Sequence, residues 1–112
     1  MHRPRIRHIA INVKDREQAP QYYNKVFQLE ERERGPNGTI YLSDGFVDVA
    51  LICVPQLSWG IHHFGFQVDS VKAIEDVSGA TANGNVPGAV AESWIQDPEG
   101  IRVDISQEGW SI

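Results

Sequence analysis

Polar and apolar residues alternate along two stretches of this chain. From Ile6 to Val13 the apolar row is Ile9, Ile11 and Val13, and the row opposite is His8, Ala10 and Asn12. From Ile61 to Val68 the mainly apolar row is His62, Phe64, Phe66 and Val68, and the row opposite is His63, Gly65 and Gln67. A period of two predicts half-buried β-strands. His8 and His63 hold the same slot in the two stretches, and 63 minus 8 gives a repeat of 55 residues. That length is too great for a solenoid period, and there are only two copies.

The elements between these strands repeat as well. Asp15 is placed as a helix N-cap with Gln18 closing a capping box. Ala19, Tyr22, Tyr23, Val26 and Phe27 then follow helical spacing, which predicts an amphipathic helix ending near Phe27. Leu29 to Arg34 reads as a charged, exposed strand with cross-strand ion pairs. The turn Gly35-Pro-Asn-Gly38 leads to strands at Thr39 to Leu42 and Phe46 to Cys53, with Ser43-Asp-Gly45 as the hairpin between them. After the connector from Val54 to Gly60 the order restarts. The strand Ile61 to Val68 is followed by a cap at Asp69-Ser70 and a short helix marked by Val71, Ile74 and Val77. A loop from Gly79 to Gly88, with room for one short edge strand, precedes strands at Ala89 to Gln96 and Ile101 to Ser106, which are joined by the turn Asp97-Pro-Glu-Gly100. The expected fold class is α+β: two βαβββ repeats, about 5–54 and 60–107, whose curved mixed sheets enclose a cavity within a single domain spanning 1–112. The tail, with Trp110 and Ile112, is expected to dock on the body or on a partner chain.

Composition narrows the function without choosing it. The chain has 112 residues with 41% hydrophobic and 22% charged, ordinary for a globular domain. The formal charge of -5 lacks the basic footprint of a general nucleic-acid binder. The single cysteine, Cys53, lies in an apolar run and reads as a buried small hydrophobe, compatible with a reducing cytoplasmic setting. The basic start shows no apolar signal-peptide core, and no apolar run is long enough to cross a bilayer.

The chemistry is expected on the polar rows. In the last strand Ile101, Val103 and Ile105 form the apolar row, so Asp104 shares the opposite row with Arg102 and Ser106. If the apolar row meets the helices, Asp104 enters the cavity beside His8 and His63. Face parity makes Ala50 its counterpart in the first repeat. Counting from the turn glycines, Gly45 and Gly100, would choose Val49 instead; parity is preferred because a one-residue slip turns a core row to water. Two imidazoles and a carboxylate facing one point suit a divalent first-row metal, Fe, Mn, Ni, Co or Zn, with positions left for water or substrate. Asp48 shares the row with Ala50 and is the candidate general base. Asn12, Gln67, Ala50 and Trp94 are the candidate substrate-lining residues. His62 turns away from His63 by parity.

At these residues the chain resembles the vicinal oxygen chelate superfamily, which includes glyoxalase I, bleomycin- and fosfomycin-resistance proteins and extradiol dioxygenases. The resemblance covers nearly the whole chain. It rests on Ile6 to Val13, on the helix with Gln21 to Leu29, on His62 to Val68, and on Asp97 to Asp104. It implies paired βαβββ units around a metal site whose slots map to His8, Ala50, His63 and Asp104. Glyoxalase I-like members place a glutamate or another ligand where this chain has Ala50, and glutamate is usual where it has Asp104. The resemblance implies a metal-dependent lyase, isomerase or dioxygenase acting on a small molecule with adjacent oxygens, commonly as a homodimer. The competing expectation is a metal-free binding protein of the bleomycin-resistance kind, in which Trp94 stacks on the ligand.

Overall fold

The computed structural model describes residues 3–36, 38–83 and 93–107. The element order is β1 (Arg5–Asn12), α1 (Gln18–Phe27), β2 (Glu30–Arg34), β3 (Ile40–Ser43), β4 (Asp48–Ile52), β5 (Gly60–Gln67), α2 (Val71–Ser78), β6 (Ser93–Gln96) and β7 (Arg102–Ser106). The fold class is α+β, with parallel and antiparallel pairs in each repeat. The chain divides into two compact units. One runs from His8 to His62; the other combines the residues up to Arg7 with the described chain from His63 onward. The breaks fall at equivalent points of the two repeats, immediately before His8 and immediately before His63.

In the unit from His8 to His62, β2 pairs antiparallel with β3, β3 antiparallel with β4, and β4 parallel with β1. A parallel pair needs a long crossover, here supplied by α1, β2 and β3. Ile40, Leu42 and Leu51 form the buried core, and Ile11, Val13, Ala19, Tyr23, Leu29 and Val49 pack against it. The helix therefore lays Ala19 and Tyr23 on the apolar row of the strands, as its spacing predicts, while Tyr22, Val26 and Phe27 stay exposed. Asp15 acts as the cap: its Oδ1 accepts the backbone N–H of Glu17 (2.9 Å) and Gln18 (3.0 Å), which satisfies two N–H groups that the helix start leaves over. Gln28 ends the helix in the left-handed region (φ 62°), with its N–H on Asn24 and that of Leu29 on Tyr23.

β2 is exposed throughout. Its ion pairs run along the strand and back to the helix start, rather than across to β3: Arg34 reaches Glu31 and Glu17, each at 2.9 Å. These two carboxylates, Glu31 foremost, raise the Arg34 pKa above its usual range. In the β3–β4 hairpin, Asp44 Oδ1 accepts the N–H groups of Phe46 and Val47, both at 2.8 Å, and those donors hold its carboxyl below the usual range. Gly45 occupies φ 91°, a conformation that a Cβ would strain. Asn37 of the preceding turn lies outside the described residues.

In the other unit β6 pairs antiparallel with β7, and β7 pairs parallel with β5. Ser70 caps α2, its Oγ accepting the Ala73 N–H at 3.1 Å, and Gly79 ends the helix at φ 76°. Val77, predicted to pack, is 89% exposed; α2 has only eight residues and buries none of them fully. The expected strand from Ala89 is described only from Ser93, and Asn83 forms an isolated antiparallel bridge with Trp94. Residues 84–92, which include part of the predicted loop, lie outside the described residues, as do Trp110 and Ile112. Cys53 is half-buried, with Sγ 3.9 Å from the Lys14 carbonyl, so it is more open than its apolar surroundings predict.

Candidate functional site

The polar rows are buried rather than solvated. In the first unit His8, Asn12, Ser43 and Asp48 are each at most 2% exposed, and Ala10 and Ala50 lie among them. Register explains the grouping. In the parallel pair His8 is opposite Asp48 and Ala10 is opposite Ala50; in the antiparallel pair Tyr41 is opposite Ala50 and Ser43 opposite Asp48. Directly paired residues share a face, so His8, Asp48, Ala50, Tyr41 and Ser43 make one polar surface with small residues at its centre. Asp48 thus sits opposite His8, on the row it shares with Ala50.

Asn12 ends the same row. Its Nδ2 donates to the carbonyls of Val54 (2.9 Å), Leu57 (3.2 Å) and Ser58 (3.2 Å), and its Oδ1 accepts the Val54 N–H at 2.8 Å. This amide clamps the connector. Its donors are turned to backbone carbonyls, which are obligate acceptors when buried.

The second unit carries the carboxylate. Gly65 is opposite Asp104 in the parallel pair and Trp94 is opposite Asp104 in the antiparallel pair, which puts His63, Gly65, Asp104 and Trp94 on one face. Asp104 is 1% exposed. His63 Nε2 lies 3.2 Å from Asp104 Oδ2. Arg102 Nε donates to Asp104 Oδ1 at 2.7 Å and Nη2 to Oδ2 at 3.4 Å. The Arg102 guanidinium also sits 5.0 Å over the Trp94 ring. Burying a carboxylate this deeply costs several kcal/mol unless it is paired and hydrogen-bonded (order of magnitude), and Arg102 and His63 meet that requirement. Gln67, opposite Ser106, borders a separate open cleft of about 250 Å³ together with Arg3, Arg5, Val68 and Asp69.

Arg102 is the member of this cluster to which the sequence reading gave no role. The available signal was its place two residues before Asp104 on the same strand face. Trp94, expected to face a ligand, has the guanidinium over its ring.

The residues present fit a divalent cation. Arg102 takes the shorter bond to Oδ1, and Oδ2 stands beside the His63 nitrogen, so one carboxylate oxygen and one imidazole nitrogen lie side by side. That mixed N/O donor pair, with a second buried histidine at the equivalent slot of the other repeat, suits a first-row divalent metal rather than calcium or magnesium.

No family profile matches the sequence, and no curated protein matches it. Solved structures do. A 2,3-dioxygenase from Pseudomonas sp. KL28 is similar with a TM-score of 0.73 at 20% identity, over 93% of this chain and 40% of that one. The chain thus spans well under half of that dioxygenase. A methylmalonyl-CoA epimerase variant from Streptomyces coelicolor, in complex with 2-nitronate-propionyl-CoA, gives 0.69 at 19% identity over 93% and 98% of the two chains. A glyoxalase/bleomycin resistance protein/dioxygenase superfamily member from Vibrio splendidus 12B01 gives 0.62 at 16% over 92% and 97%. These likenesses show the fold alone: the chain has a glyoxalase-like architecture. Among the described residues no helix is long and apolar enough to cross a membrane.

Proposed function

We propose that this protein is a metal-dependent enzyme of the vicinal oxygen chelate type, a lyase, isomerase or dioxygenase acting on a small molecule with adjacent oxygens. His8, His63 and Asp104 hold the metal. Each offers one ligand atom, two of the three are buried and His63 is half-buried. The observation that carries the reading is the 3.2 Å approach of His63 Nε2 to the buried Asp104 Oδ2, with buried His8 in the equivalent slot of the first repeat. The fold this chain shares with a 2,3-dioxygenase and with a methylmalonyl-CoA epimerase in complex with 2-nitronate-propionyl-CoA is consistent with the reading.

His8, His63 and Asp104 would hold a divalent ion, which would supply Lewis-acid chemistry there. The chain's own side chains do the rest. Arg102 fixes the Asp104 carboxylate. Asp48, buried opposite His8 and Ser43, accepts the proton moved in the reaction. Ala10, Ala50 and Gly65 leave room on the polar rows for substrate.

Elemental analysis of protein purified without chelator tests this. The expected result is about one divalent ion per chain, lost in His63→Ala and in Asp104→Ala and retained in Asp48→Asn. A metal-free wild type with normal folding contradicts it. That outcome favours the second reading, a metal-free small-molecule binding protein, whose supporting observation is that Arg102 already satisfies Asp104. We further propose a cytoplasmic homodimer. Phe46, Ile61 and Val77, exposed by 79%, 75% and 89%, are apolar side chains left for a second copy to cover. Sedimentation as a monomer at micromolar concentration contradicts the dimer.

A further inference from the structure

We propose that Arg102 is a specificity-determining residue and that the small molecule bound beside Asp104 carries a carboxylate. The inference rests on the reading of the His63–Asp104 face as the ligand site, and it adds the charge of the ligand.

The guanidinium is planar and presents five N–H donors along fixed edges, so it engages one carboxylate through Nε and one terminal nitrogen and a second through the outer edge. Arg102 has used the first edge: Nε is 2.7 Å from Asp104 Oδ1, and Nη2 is 3.4 Å from Oδ2. Among the described residues no bond is assigned to Nη1. The Trp94 ring, 5.0 Å from the guanidinium carbon, covers one face of the plane and fixes its orientation. The side chain of Arg102 is 33% exposed, against 11% for His63 and 1% for Asp104. It is therefore the cationic group of this cluster that solvent, and hence an arriving ligand, meets first. A donor edge held rigid before binding loses little entropy on capturing a planar oxyanion.

Calorimetry with α-hydroxy acids and their neutral amides tests the proposal: glycolate against glycolamide, and mandelate against mandelamide. The full-length wild type is expected to prefer each acid. In Arg102→Met the acid is expected to lose more affinity than the amide, so that the preference falls about tenfold or more, the size of one charge-assisted hydrogen bond. Arg102→Lys, which keeps the charge and removes the fork, is expected to keep part of the preference; it provides the reading should the methionine variant fail to fold. A wild type with no preference for the acid overturns the proposal. An unchanged preference in both variants does the same, as does an equal loss for acid and amide. Metal content measured on the same samples separates the two readings. A preference for the acid in metal-free protein leaves this inference standing and removes the metal; bound metal without the preference does the opposite.

Discussion

The two repeats have the same frame and opposite contents. Ala10 and Gly65 are equivalent, and they face Ala50 and Asp104 in matching parallel registers. Leu51 matches Ile105, Tyr41 matches Trp94, and Ser43 matches Gln96 by the same registers. The caps match too: Asp15 binds the Gln18 N–H, and Ser70, which is 55 positions on, binds the Ala73 N–H, again 55 positions on. What differs is the chemistry on the polar row. The first repeat places Asp48 and Ala50 where the second places Arg102 and Asp104. Positions that hold the backbone are shared, and positions on the polar row have diverged. A duplicated scaffold can therefore change the chemistry of one face without altering its strand pairing.

The comparison can be broken first at the core. Leu51→Ala removes a fully buried side chain, and Ile105→Ala removes one that is 2% exposed. Each is expected to cost about 3 kcal/mol in urea unfolding, within the usual span for large-to-small core changes. Losses that differ by more than about 2 kcal/mol would show that the two cores are not equivalent. A smaller effect sharpens the comparison at the caps. Asp15→Ala and Ser70→Ala are each expected to cost about 1 kcal/mol, with Asp15 the larger because it accepts two N–H groups where Ser70 accepts one. Thermal unfolding that ranks Ser70 above Asp15 contradicts that account.

Much of the frame was legible in the residues. Alternation around His8 and His63 marked two equivalent strands, and Asp15 with its helical followers marked α1. Parity put Asp104 on the polar row and made Ala50 its counterpart. The registers agree, and they show the turn-to-strand distance to be one residue shorter in the second repeat: Ala50 follows Gly45 by five positions, and Asp104 follows Gly100 by four. Alternation is legible because it follows from the pleat alone.

The contacts of long side chains were less accessible. Arg102 and Asp104 share a face by parity, but whether the guanidinium bends to the carboxylate depends on how deeply Asp104 is buried, which no local pattern encodes. Asn12 looked like a ligand-facing amide. Its use as a clamp depends on the path of the connector from Val54 to Ser58, a feature of loop conformation. Val77 fell in helical spacing with Val71 and Ile74, yet a helix of eight residues is too short for spacing alone to decide what it buries.

The pairing of an imidazole with a buried carboxylate, repeated in part across the duplication, is the claim on which the functional reading turns. Anomalous diffraction from crystals of protein purified without chelator tests it directly. The account predicts a single strong peak at about 2.0–2.2 Å from nitrogen atoms of His8 and His63 and from an oxygen of Asp104, the usual range for such ligands. A peak elsewhere, or none with Asp104 still held by Arg102, would contradict it.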